Sequence, residues 1–460
     1  MSKPIVILLV LMAACSSATE VPATTTTQPR PATTAGAATS TTLALPVEID
    51  DCSAPSAPFS PMCESYELIQ EWHVDRPFDA AVLAEAAVTG VDGFASETTE
   101  TPPRTLICAI PDAAFAPLCD RVAARVAVDS APLAPMLDAA VTSMTDLALD
   151  PFSYYVPPDQ VGSFRANGVV GGIGVLLDAT DAVGSRCVRV TEACPLRIVF
   201  VVEDNPAADA GLVPGDVITA IDGTTVDGLG FVEAAGQLAG DETGTVEVSV
   251  TRDGTPQSFS ISRAPLVVPT VEIAVPQEGV GLIRIPDFEE DIADLVREGL
   301  VELLESDINT LVVDLRDNPG GYIDVSILVM SEFVGDGVLA QTTSPDGDEP
   351  LTSIGDGLAT DLDLIVLVNE GTASAAEITA AALRDRRGAA IVGRNTFGKN
   401  AVQIPFTLRN GGELYVAVAH WTSPSGDSVS DGGLIPDYEL DLPAGLTSEQ
   451  VVGQALEVTR

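Results

Sequence analysis

Lysine is almost missing from this chain. Of its 22 cationic residues 20 are Arg, and only Lys3 and Lys399 are Lys. Histidine is as scarce, with His73 and His420 alone, so a Ser-His-Asp triad has few candidates. Positive charge is short overall: 67 acidic residues against 22 basic ones give a net charge of −45. That balance excludes nucleic acid or an anionic membrane surface as a natural partner, since phosphates would be repelled, and reads as a solvated acidic surface. No C-x-x-C pair and no His cluster suggests a metal site. The apolar run at the N-terminus, Pro4–Ala14 in "MSKPIVILLVLMAAC", is too short to span a bilayer as a helix.

What is present is more specific. That N-terminal stretch reads as a signal peptide over 1–14. "LMAAC" resembles the lipobox of bacterial lipoproteins, which would make Cys15 the lipidated first residue of a chain held at the membrane face without crossing it; Met12 is an unusual residue there, and ordinary signal cleavage is the alternative. Residues 15–50, dominated by Thr, Ala and Pro, read as a flexible tether. Six cysteines remain after Cys15, an even number that in an exported chain suggests disulfides, and sequence neighbours invite the pairings 52–63, 108–119 and 187–194.

The 460 residues are enough for two or three domains with real cores. From Tyr66 to Val126 apolar residues recur at helical spacing, interrupted by a cysteine-bearing loop over 101–119, and "LAPMLDAAVTSMTDLA" is a further amphipathic helix ended by "LDPFSYYVPP". A helical region over 51–165 follows. Over 166–265, short β-rich runs such as "GDVITAIDG" and "GTVEVSVTRDG" alternate with Gly and Asp-Gly turns, as in one small β domain. From 266 to 445 strands alternate with helices ("INTLVVDLR", "LIVLVNE", "SAAEITAAALRD", "AAIVG"), which implies a mainly parallel sheet covered by helices. Residues 446–460 form a C-terminal helix or tail. The fold class is multidomain α+β.

Ser374, in "VNEGTASAAEITAAAL", stands where a buried strand turns into a helix. A serine there has an exposed hydroxyl at the positive end of a helix; the plain alternative is an N-cap serine. A serine nucleophile needs a base. His73 lies in the helical region and His420, on the strand "LYVAVAHW", reads as a satisfied, partly buried side chain. Lysine is the other base for serine, and Lys399 is the one available. Phe397, Val402 and Ile404 are expected to give it apolar cover that favours the neutral amine, and Gln403, four residues on, can orient it without adding charge. "VVDLRDNPGGY" (312–322) ends in a Pro-Gly-Gly turn able to aim a backbone N–H into a cleft.

Taken in order, "LDPFSYY", "GGIGV", "NPAADAGLVPGDVITAIDG", "VVDLRDNPGGY", "NEGTASAAEI", "VGRNTFGKNAVQ" and "GGLIPDYE" resemble the carboxyl-terminal processing, or tail-specific, serine proteases over about Tyr66 to Pro443. The resemblance implies a PDZ domain and a ClpP/crotonase-like protease core. By position it makes Ser374 the nucleophile, Lys399 the general base and Gln403 its orienting residue, with Ala375 and Gly320, or Gly321, as oxyanion donors. Gly172, Ile173, Gly174 and Val175 would bind a substrate's tail in the PDZ domain, Ile173 and Val175 shaping its apolar pocket. Substrates would be proteins or peptides with free apolar C-termini, cut without metal or cofactor, outside the cytoplasm. A homo-oligomer or an activating adaptor stays open as partner. Two positions depart from the family: Ala376 stands where Ser is usual, and Asn400 where Gly follows the lysine. The competing readings are a catalytically silent lipoprotein that only binds tails, and a hydrolase using His420.

Overall fold

The structure is a computed structural model, and it describes residues 45–55, 57–96, 98–165, 173–179, 189–201, 205–238, 244–264, 270–429, 432–443 and 446–460. The signal peptide, Cys15, most of the tether, Gly172 and Cys187 lie outside the described residues. Residues from Leu45 to Arg460 form one compact unit.

Its centre is a six-stranded sheet in the order Glu272–Gln277, Val280–Arg284, Thr310–Asp314, Asp363–Val368, Ala390–Gly393, Tyr438–Glu439. The first pair is antiparallel and the others are parallel, as the strand–helix alternation predicts. Side chains alternate across a strand, and both faces here are apolar. Leu311, Val313, Val366 and Val368 face the helices Ile292–Leu304, Ile323–Val334 and Ala375–Arg387. Val312, Ile365 and Leu367 pack instead on Val451, Val452 and Ala455 of the helix Ser448–Thr459. The C-terminal segment is therefore a structural layer of the core.

A second, antiparallel sheet runs Gly347–Thr352, Val338–Ser344, Glu413–Thr422, Ala401–Thr407. Tyr154–Val156 adds to it by pairing with Glu413–Thr422, so the stretch expected only to end a helix contributes a strand to the core. Buried Tyr155 opposite Leu414 and Tyr154–Tyr415 stacking, with centroids 4.7 Å apart, hold that pair.

The N-terminal helices Ser60–Trp72, Ala80–Gly93, Ala116–Asp129 and Leu133–Ala148 share one core. Within it, Leu106–Ile110 pairs in parallel with Val47–Asp51. Both were expected as irregular chain; long-range pairing overrides the polar local composition of "VEIDD". Cys52–Cys63 and Cys108–Cys119 are bonded, each beside one strand of that pair. The third predicted pairing involves Cys187, outside the described residues.

The β domain is a sheet in the order Val175–Ala179, Leu196–Val201, Val217–Ile221, Thr245–Arg252, Thr255–Ser262, with helices Pro206–Ala210 and Phe231–Leu238. Among the described residues, Val175–Ala179 is the end strand of this sheet.

Candidate active site

The strand Asp363–Val368 leads through Asn369–Ala373 into the helix Ala375–Arg387, and Ser374 is the residue at the elbow. Its φ of 54° and ψ of −117° lie where non-glycine residues seldom go, a conformation that costs about 1–3 kcal/mol and persists only where neighbours impose it. They do. Thr372 donates its hydroxyl to Leu315 O at 2.7 Å, Ala373 N–H donates to Asn318 O at 2.9 Å, and Asn369 and Asp317 exchange two hydrogen bonds. The elbow is thus strapped to the loop of "LRDNPGG". That loop is itself pinned by Asn318 Nδ2 on Ile285 O and by a two-point pair of Arg316 with buried Asp314.

The helix that starts at the elbow is alanine-rich, with its arginines in the last turn where they suit the dipole. Its third residue, Glu377, is fully buried. Oε2 accepts the N–H of Ser374 at 2.8 Å and of Lys399 at 2.9 Å; Oε1 accepts Gly398 N–H at 2.7 Å and the Thr396 hydroxyl at 2.5 Å. Burial pushes the carboxyl's pKa up while those four donors push it back. Sequence reasoning missed this residue. Its one signal was a glutamate at the N3 position of a helix, the pattern of a capping box.

Lys399 is half-buried, its carbonyl held by the indole N–H of Trp421 at 3.0 Å. Its ammonium donates to Gln403 Oε1, and Gln403 Nε2 donates to Phe152 O. The Phe152 ring lies 5.9 Å from Nζ, within reach of a cation–π interaction. Of the apolar residues expected around the lysine, Phe397 and Val402 are half-buried but Ile404 is 38% exposed. The reason is strand alternation: Gln403 and Ile404 point to opposite faces, and Phe152 takes the place expected of Ile404. A register shift between Val402 and Gln403 marks a bulge against Glu413–Thr422, a device that re-aims a side chain beside a site.

Ala375 is the first residue of the helix, so its N–H has no intrahelical acceptor. Gly320 lies against it: a Cβ added there would stand 2.9 Å from Ala373 O, 2.9 Å from Ser374 Cβ and 3.0 Å from Ala375 N, at a φ of +101°. Only glycine fits. The Gly320 N–H donates to Asn318 Oδ1 at 2.8 Å, and Gly321 beside it is exposed.

His420 differs from expectation. It is half-buried, and its Nδ1 has no hydrogen-bond partner among the described residues. In the β domain, Ile173 and Val175 are fully buried in the core, the Ile173 carbonyl accepting Ala207 N–H at 2.8 Å, and Gly174 has a φ of +80°. As placed, the two side chains pack inward and line no open surface.

A strand-to-helix elbow serine strapped to a glycine turn, a lysine on the neighbouring loop and an appended β domain define a class of hydrolase. The profile of peptidase family S41 matches residues 279–440, and that of the PDZ domain matches residues 171–262. The carboxyl-terminal-processing protease of Synechocystis sp. is 31% identical over 312 residues, 66% of this chain and 71% of that protein. Carboxyl-terminal-processing peptidase 2, chloroplastic, of Arabidopsis thaliana is 31% identical over 65% of this chain and 60% of its own length. A probable CtpA-like serine protease of Staphylococcus haemolyticus is 28% identical over 66% of this chain and 60% of its own. The solved photosystem II D1 C-terminal processing protease has the same fold, with a TM-score of 0.63 at 23% identity over 88% of this chain and 98% of that one. The chain belongs to the carboxyl-terminal-processing protease family, peptidase family S41. No helix among the described residues is long and apolar enough to cross a membrane.

Proposed function

We propose that the chain is an exported serine endopeptidase that cleaves proteins or peptides near free, apolar C-termini with a Ser374–Lys399 dyad. The observation that carries this reading is the sharing of the Glu377 carboxylate by the backbones of Ser374 and Lys399, with the lysine side chain on Gln403. In this mechanism the neutral Lys399 amine takes the Ser374 proton as Oγ attacks the peptide carbonyl. The protonated lysine is held by Gln403 Oε1 and returns its proton to the leaving amine. Water, activated by the same lysine, then hydrolyses the acyl-enzyme.

Ala375 N–H and the Gly320–Gly321 turn supply the oxyanion donors. For Gly320 to serve, its N–H must leave Asn318 Oδ1 for the developing oxyanion. Losing one such donor costs about 10²–10³ in rate.

The PDZ domain captures the substrate tail as an added strand, the mode suited to an open sheet edge. Val175–Ala179, the end strand of the sheet among the described residues, would supply that edge. Outside the cytoplasm, two disulfides fit an oxidising compartment, and lipid on Cys15 would hold the chain at the cell membrane. Nothing favours the reading as a silent tail-binding lipoprotein.

The test is cleavage of an unfolded protein with an apolar C-terminus, comparing the native chain with Ser374→Ala and Lys399→Arg. Arginine keeps charge and most of the length but cannot act as a base. Both variants are expected to lose activity by at least about 10³-fold; undiminished cutting by Lys399→Arg would remove the lysine from the mechanism.

A further inference from the structure

Lys399 is reached from the N-terminal domain by a continuous run of hydrogen bonds that bond-breaking itself does not require. His73, at the C-terminal end of the helix Ser60–Trp72, is fully buried. Its Nδ1 accepts the N–H of Asp75 at 3.0 Å, so the ring proton sits on Nε2, which donates to Asp150 Oδ2 at 2.6 Å. The same oxygen accepts the Ser153 hydroxyl at 2.6 Å, and Asp150 Oδ1 accepts Phe152 N–H at 2.7 Å. Burial alone would raise the Asp150 carboxyl; the three donors outweigh it and hold the group below the usual carboxylate range.

The consequence passes through one peptide turn. Asp150 fixes the Phe152 N–H, and with it the turn whose carbonyl faces Gln403 Nε2. A carbonyl can only accept, so it orders the Gln403 amide: nitrogen toward Phe152, oxygen toward Lys399. Were the turn free, the amide could flip and offer N–H groups to the ammonium, which repels them. The strand that faces Gln403 is gripped by the same segment. Ala417, paired with Gln403 in register, accepts Val74 N–H at 2.8 Å and donates to Ser153 Oγ at 3.0 Å.

We propose that His73, Asp150 and Ser153 are positioning residues that orient Gln403, and through it Lys399, so that the N-terminal domain completes the active site of the core. The proposal rests on Lys399 being the general base. A buried His–Asp pair that merely anchored a loop would affect folding and substrate capture but would act independently of Gln403.

The experiment is a double-mutant cycle on the full chain, reading kcat and KM for an unfolded protein with an apolar C-terminus. His73→Leu is expected to lower kcat by about 10- to 10²-fold with KM unchanged. His73→Gln, whose amide nitrogen can take the place of Nε2, is expected to restore most of it. In a Gln403→Ala background His73→Leu should cost nothing further. Wild-type kcat in His73→Leu, or losses that multiply in the double variant, would overturn the proposal. If His73→Leu does not fold, Ser153→Ala removes one donor to Asp150 and is read in the same cycle with the same criteria. Lys399→Arg separates the two ideas: an inactive Lys399→Arg with multiplying losses sinks the relay alone, whereas an active one sinks the dyad.

Discussion

The backbone N–H groups of Ser374 and Lys399 donate to one and the same oxygen, Oε2 of Glu377, at 2.8 and 2.9 Å. Two residues 25 positions apart are thereby registered by a single buried carboxylate, and the separation of the proposed nucleophile and base does not depend on the loops' own stiffness.

Glu377→Gln keeps the size of that side chain but replaces one acceptor oxygen with a donor, which must face two existing donors. Activity is expected to fall by about 10²-fold or more, and stability by about 1–3 kcal/mol for the donors left unpaired. Active-site labelling kinetics and chemical denaturation measure the two effects. A near-normal labelling rate would show that the shared oxygen is not what sets the geometry.

Gly320→Ala introduces a Cβ about 3 Å from Ser374 and Ala375 at a backbone angle that L side chains avoid. Turnover is expected to collapse, with a stability cost of about 1–3 kcal/mol. Gly321→Ala, also at positive φ but beside the backbone of Phe288, is the comparison. Steady-state rates for the two variants show which turn residue matters for the oxyanion.

Asp146, on the helix Leu133–Ala148, is 8% exposed and faces the PDZ domain: a Cβ on Gly230 would stand 2.6 Å from its Oδ2. It borders a cavity of about 640 Å³ shared with Arg189 and Glu233. Burial, opposed by Arg189 and reinforced by Glu233, raises its pKa to about 7. The native state therefore holds a proton that the unfolded chain releases near pH 4. This contribution is full below pH 4 and is lost as pH rises to about 7, at up to about 1.4 kcal/mol per unit. Asp146→Asn should remove the slope, so its stability relative to the native chain should improve from pH 5 to 7.5. Urea titrations at those two pH values decide it; a constant difference would contradict the burial of a charge there.

Removing Cys52–Cys63 or Cys108–Cys119, each spanning 11 residues, is expected to cost roughly 2–3 kcal/mol. Calorimetry of the Cys→Ala pairs, with and without reductant, measures it. The native chain should lose stability on reduction, and each Cys→Ala pair should lose less on reduction than the native chain does.

Much of this molecule could be read from order along the chain. Strand–helix alternation announced the parallel sheet, because a parallel pair needs a long crossover. Gly and Asp-Gly punctuation announced the β domain, and the elbow of Ser374 followed from a buried strand running into an alanine-rich helix. The scarcity of lysine singled out Lys399, since chemistry that needs a removable proton cannot use arginine. Such features are local, and local propensity and chemical type are written residue by residue.

Only the tertiary structure decided the rest. Glu377 reads as an ordinary acid in a helix's first turn until the loop 395–399 packs over it and supplies three of its four donors. Val47–Asp51 is too polar and Tyr154–Val156 too short to declare themselves strands; distant partners make them so. His73 and Asp150 are 77 residues apart, and nothing in either neighbourhood names the other. Phe152, and not the expected Ile404, stands beside Lys399 because a bulge and strand alternation, not proximity in sequence, set which side chain faces the amine. Sequence carried the chemical groups and the secondary elements; burial and long-range pairing decided which groups meet, since both depend on surfaces that exist only once the chain has folded.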